Sequence, residues 1–139
     1  NALAAALAVQ AAEAPLRAAQ GAVVLFSTIA AGNGFPNHTV IAAAKGAVEA
    51  LTRSLAADLA PDVRVNCIAP SLTLTPMAQP LTANEAMAKA IAAMHPLPRL
   101  GEPDDLAAMA AFLLRSGAGW ITGQVIAVDG GRSRVRIKG

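Results

Sequence analysis

With 139 residues, 55% of them hydrophobic and 14% charged, the chain is sized for one domain with a core and is too apolar to be a disordered segment. Aromatic residues make up only 3% and tyrosine is absent, so that core must be built from Ala, Val, Ile and Leu. The net charge of +2 is supplied by Arg132, Arg134, Arg136 and Lys138, which leaves the remainder at −2; the basic excess reads as a solvated tail over 132–139, which argues against a nucleic-acid face.

Residues 1–19 are predicted to be helical, with Leu3, Leu7 and Ala11 at four-residue spacing. Pro15 is expected to kink or shorten that helix. After Gly21, the run Ala22-Val23-Val24-Leu25-Phe26 reads as a buried parallel strand. Residues 28–39, with Gly32, Gly34 and Pro36, form a loop. The longest helix is expected over 40–59, with an apolar stripe of Val48, Leu51, Leu55 and Leu59 and an ion pair between Glu49 and Arg53.

Pro61 ends that helix, and residues 63–68 form a second strand. This strand holds Cys67, the only cysteine, which excludes an internal disulfide and suits a reducing, cytoplasmic setting. Residues 69–83 read as a loop with three prolines, and 84–94 as a short helix that His95 ends. Glu102-Pro103-Asp104-Asp105 is a helix start, with proline at the first position and carboxylates in the first turn. Trp120 is expected to pack beside a third strand, 124–128.

Strands alternating with helices imply an α/β fold with a parallel sheet. Such sheets bind ligands beyond the carboxyl ends of their strands, where Ser27-Thr28 and the segment from Pro70 to Thr75 fall. No apolar run reaches the ~18 residues of a membrane span, and no cluster with metal-ligand spacing is present, so neither a membrane nor a metal is expected.

Several motifs occur in an order that resembles the short-chain dehydrogenase/reductase family. Thr28 lies thirteen residues before Ile41, and Lys45 four after it, the spacing of the family's Ser…Tyr-x-x-x-Lys motif. Val63-Arg64-Val65-Asn66-Cys67-Ile68-Ala69-Pro70 is similar to the strand leading to the family's nicotinamide-side loop. Pro70-Ser71-Leu72-Thr73-Leu74-Thr75-Pro76-Met77 resembles that loop, with Ser71 where glycine is usual. The stretch 121–131 is similar to the family's last strand and closing turn. Asn1 falls near the place of the family's active-site asparagine.

The resemblance implies a Rossmann-like, doubly wound parallel sheet, of which residues 1–131 would be the C-terminal portion. It implies NAD- or NADP-dependent hydride transfer on an alcohol or carbonyl, and pairing of long helices in a homo-oligomer. On the same basis Asn1, Thr28 and Lys45 are candidate catalytic residues. Lys45, Pro70, Ser71, Thr73 and Thr75 are candidate cofactor contacts, and Ser27 is a candidate substrate contact. His38, a candidate on the substrate side from its own chemistry, is the one nearby residue whose imidazole could replace a lost proton donor. Two departures qualify the activity. Ile41 stands at the tyrosine position and can neither donate nor accept a proton. No Gly-rich turn joins a strand to a helix with the dinucleotide-binding spacing, so the first half of such a domain is expected to lie outside this chain. An impaired oxidoreductase and a non-catalytic, cofactor-binding or structural subunit both remain as readings.

Overall fold

The computed structural model describes residues 1–137. Helix α1 (Ala2–Ala18) leads into strand β1 (Ala22–Phe26), helix α2 (Thr39–Leu59) and strand β2 (Arg64–Pro70). Short helices α3 (Gln79–Thr82) and α4 (Glu85–Ala92) follow, then helix α5 (Pro103–Leu114) and strand β3 (Val125–Val128). The three strands form one parallel sheet in the order β1-β2-β3. The expected α/β fold is therefore present, as a partial Rossmann-like sheet.

Both faces of the sheet are covered because strand side chains alternate. Val23 and Val65 turn to one face, where they pack with Val9, Leu16, Leu55, Ala56, Leu59 and Val63 from α1, α2 and the loop before β2. Val24, Ile68 and Ile126 turn to the other face, against Leu106, Met109 and Leu113 of α5. The middle strand is the one buried on both faces, Asn66 included; β1, expected as the buried strand, is only half-buried and its Phe26 is exposed.

Two buried polar connections fix the third strand. The Asn66 amide donates to Ile121 O at 2.8 Å and accepts from Gln124 N at 3.1 Å. Gly123 donates to Val65 O at 2.7 Å in a left-handed conformation, φ 71°, that glycine adopts without strain. Arg64 also donates to Leu113 O and Arg115 O, closing the carboxyl end of α5.

Four expectations require correction. Residues 69–83 are not all loop, because the 3₁₀ turn Pro76–Ala78 and helix α3 lie within them. Pro15 does not shorten α1, which continues to Ala18. Arg17 holds its last turn by bonding Glu13, Asp62, Asp58 O and Leu59 O, which offsets the missing proline N–H. Glu49 does not pair with Arg53; its carboxylate turns inward to Ser27. Trp120 does not pack beside β3 but stands fully exposed in the turn before it.

Candidate active site

The ladder between β1 and β2 ends with Phe26 opposite Ile68, and Ser27 N donates to Ile68 O at 2.8 Å. The segments after β1, β2 and β3 therefore leave the sheet at one edge. The pleat then separates two adjacent hydroxyls. Ser27, expected to face substrate, is only 5% exposed. Its hydroxyl lies 2.7 Å from Glu49 Oε1 and 3.3 Å from Lys45 O, so it ties β1 to α2 instead. Thr28 leads into a short 3₁₀ turn, Ile29–Ala31, whose Ala30 N–H it caps at 3.3 Å. Thr28 Oγ1 also lies 3.5 Å from Pro70 O, which brings the end of β1 beside the end of β2.

Helix α2 presents the motif residues to this edge. Lys45 Nζ donates to Phe26 O at 2.9 Å, one of the ammonium's three donors. The anchor fixes the charge at the carboxyl end of β1 and leaves two donors unengaged among the described residues. Ile41, one turn earlier, is 40% exposed. It shares an open hollow of about 500 Å³ with Asn1, Asn37, Thr39, Val40 and Ala44. Asn1 and Ile41 are thus brought together although 40 positions apart, and the hollow's wall is apolar where the motif would place a phenol.

His38 lies at the entrance to α2. Its Nδ1 sits 2.6 Å from Pro36 O, so that nitrogen carries a proton and donates. Its ring meets Phe35 edge-on, with centroids 5.7 Å apart. His38, Phe35 and Ala42 line a second hollow of about 380 Å³, which places His38 on the rim of the site with Nε2 unengaged among the described residues.

Beyond β2 the chain makes a long excursion and returns to its starting point. Gly101 N donates to Leu72 O at 3.0 Å, and Leu74 N donates to Gly101 O at 2.9 Å. Thr73, a candidate cofactor contact, is buried at this closure with its hydroxyl donating to Ser71 O at 3.1 Å. That side chain serves the loop's own backbone and is corrected from the cofactor set. Thr75 is exposed ahead of the 3₁₀ turn Pro76–Ala78, and its hydroxyl has no capping bond. Pro70 is half-buried at the strand end.

Ser71 is bonded more elaborately than a glycine at this place would be. Its hydroxyl donates to His95 Nε2 at 2.8 Å and accepts from Arg132 Nη1 at 3.3 Å. His95 is 2% exposed, and its Nδ1 donates to Ile91 O at 2.9 Å, which fixes the tautomer that accepts from Ser71. Together they close the excursion over 24 residues. Ser71, His95, Leu97, Asp105 and Asp129 line a cavity of about 210 Å³ behind the loop.

Charge around the site is mostly committed. The Arg99 guanidinium grips both oxygens of Asp105 at 2.7 and 2.8 Å, and Glu102 N donates to the same carboxylate. These contacts hold the Asp105 carboxyl down at about 2. Burial pushes the Asp129 carboxyl up, but bonds from Ser133 and Gly131 outweigh it and hold the group below the usual carboxylate range. Burial pushes the Cys67 thiol up, which marks it as an inert core residue. Among the described residues no three His, Cys, Asp or Glu side chains group as metal ligands, and no helix is long and apolar enough to cross a membrane.

His95, Arg132 and Glu49 are the site residues that sequence reasoning missed. Ser71 in place of the usual glycine was the one available signal for the first two, because a new buried hydroxyl needs partners. Arg132, read as part of a solvated tail, is instead drawn back over the Phe35 ring at 4.8 Å. Lys138 lies outside the described residues.

A family model described as enoyl-(acyl carrier protein) reductase matches residues 1–133. A tropinone reductase homologue from Arabidopsis thaliana is 38% identical over 112 residues, which is 80% of this chain and 42% of the plant protein. Among solved structures, a short-chain type dehydrogenase/reductase from Mycobacterium ulcerans superposes with TM-score 0.83 at 37% identity, over 90% of this chain and 46% of that one. A gluconate 5-dehydrogenase from Burkholderia cenocepacia, in complex with NADP and tartrate, gives 0.85 at 28% identity, over 92% of this chain and 51% of that one. The chain thus spans about half the length of the proteins it resembles, or somewhat less.

Proposed function

This chain belongs to the short-chain dehydrogenase/reductase family, and from that premise we propose that it forms the substrate and nicotinamide side of an NAD(P)-dependent oxidoreductase acting on a small alcohol or carbonyl. The observation that carries this reading is Lys45, anchored on Phe26 O with two donors to spare, next to a strand end where Thr28 meets Pro70. A vicinal diol of a ribose suits an ammonium fixed in that way. The exposed Thr75 hydroxyl, together with the backbone of Pro70 and Ser71, suits the carboxamide end of the same group.

When bound, a nicotinamide supplies or takes up the hydride. The residues of this chain would orient its ribose through Lys45 and the reacting oxygen through Thr28. Asn1, on the wall of the Ile41 hollow, is a candidate for holding a water there. The fit extends only to the nicotinamide end, since no turn among the described residues cradles a pyrophosphate. The rest of the site would come from the portion of the relatives' length that this chain does not span, as part of the same protein or a partner. We assign 1–131 to the domain and 132–139 to a basic tail, with Arg132 returned to the body. A homo-oligomer and a cytoplasmic location are the further expectations.

Proton transfer is the weak step. Ile41 offers no proton, and general acid–base catalysis is worth about 10²–10⁴ in rate. Turnover should accordingly be slow unless His38 Nε2 substitutes. A second reading follows from the same residue: a cofactor-binding subunit without turnover. The discriminating experiment joins this chain to a family dinucleotide-binding half and follows nicotinamide absorbance with a panel of small ketones. Turnover that His38→Ala abolishes supports the oxidoreductase with His38 as acid, whereas turnover retained in His38→Ala rejects that role. Nicotinamide binding with no turnover supports the subunit.

A further inference from the structure

Arg132 is the charged group that the proposed chemistry leaves without a task. It follows the closing turn Asp129-Gly130-Gly131 and reaches back across the site. Its guanidinium carbon lies 4.8 Å from the centre of the Phe35 ring. Its Nη1 donates to Ser71 Oγ at 3.3 Å, and its Nη2 to Met94 Sδ at 3.4 Å. Phe35 lines one hollow and Ser71 lines the cavity behind the loop, so the guanidinium joins the loop after β1 to the loop after β2.

Every one of these partners is neutral. Among the described residues no carboxylate lies within ion-pair distance of Arg132, although Arg17 and Arg99 both have one. Asp129, the acid whose charge acts on Arg132, spends its oxygens on the N–H groups of Gly131 and Ser133. The guanidinium is half-buried, and desolvation lowers its pKa, with Asp129 only partly opposing. Withdrawing a cation from water without a counter-charge is costly. A ring face offsets some of that cost, and a thioether and a long bond to a hydroxyl offset little more. A fork of five donors in this state is preorganised for a planar oxyanion, whose charge-assisted bonds would be shorter and about twice as strong as those it now makes.

We propose that Arg132 is the specificity-determining residue for a carboxylate on the substrate, so that the natural substrate is a hydroxy or keto acid. This rests on the oxidoreductase reading for the word substrate, while the anion site itself stands on the contacts of Arg132. Phe35 holds the plane of the guanidinium. His95, by accepting from Ser71, turns the Ser71 oxygen toward Arg132 and so acts as a positioning residue.

The test needs no turnover. The intact chain is titrated with lactate, with the neutral lactamide, and with inorganic phosphate, and the Arg132 side-chain and Phe35 ring resonances are followed by NMR. Lactate should shift both resonances saturably, and lactamide should not. Arg132→Gln should weaken lactate at least tenfold, Arg132→Lys should retain part of the affinity, and Arg134→Gln should change nothing. Phe35→Leu, which keeps the cation and removes the ring, should cost less than Arg132→Gln and provides a second reading if Arg132→Gln alters the fold.

Equal binding of lactate and lactamide would overturn the proposal, as would equal loss in Arg134→Gln and Arg132→Gln. Phosphate binding ten times more tightly than lactate would overturn the assignment to a carboxylate. Because nicotinamide is absent from the titration, a completed enzyme without turnover would leave this result standing.

Discussion

Ile41 and Thr28 define what this site can do at the scale of single residues. The hydroxyl and the lysine are placed at the sheet edge, but the position between them is aliphatic. Ile41→Tyr restores a phenol one turn before Lys45, where a cation lowers its pKa. In a completed domain we expect this substitution to raise ketone turnover by about 10² or more, measured by nicotinamide oxidation; unchanged turnover would mean that the site lacks more than a proton donor. Asp105 gives a second residue-level prediction. Its carboxyl sits at about 2, below the ordinary ~3.9, so the stability it contributes is fully present above pH ~4 and is lost as pH falls toward 2. Asp105→Asn should be less stable than the parent at pH 7, and the gap should close by pH 2 in urea titrations. A constant gap would show that the Arg99 contact contributes nothing through charge.

The secondary elements were legible in the sequence, and the reason differs among them. Strands β1 and β3 were read from short apolar runs, yet the structure leaves both half-buried, and it is β2, with Arg64 and Asn66 in it, that is buried on both faces. Helix α5 was read from Pro103 and the carboxylates after it, and Asp105 does cap it. Side-chain partners were not legible, because they depend on contacts across the fold. Ser27 and Thr28 are neighbours in sequence and opposites in space. Ser71 and His95 meet only because an excursion of two dozen residues closes on itself. Trp120 was expected to pack beside the third strand, yet the turn leaves it fully exposed. Asn66 shows how much rests on one such contact, since its buried amide holds both ends of the turn before β3. Asn66→Ala strands a carbonyl and an N–H, each at about 1–3 kcal/mol. Chemical denaturation should therefore find a loss of roughly 2 kcal/mol or more; a loss under about 0.5 would mean that the turn repacks.

For the whole molecule, the sheet is the dominant consideration. Strand β1 is paired only on its β2 side among the described residues, and Phe26 at its end is 43% exposed. An unpaired parallel edge is a template for association. Leu3 and Leu7 of α1 and Val40 of α2 are exposed as well, and such apolar surface on long helices favours a second copy. Sedimentation should give a concentration-dependent oligomer, and a monomer at every concentration would contradict the proposed assembly. The central claim is that Lys45 and the loop after β2 hold the nicotinamide end of a dinucleotide. Native mass spectrometry of the domain completed with a dinucleotide-binding half tests it most directly. The account predicts a retained NAD or NADP mass that is lost or greatly reduced in Lys45→Ala. Equal retention in Lys45→Ala, or no nicotinamide mass in the parent at any cofactor concentration, would contradict it.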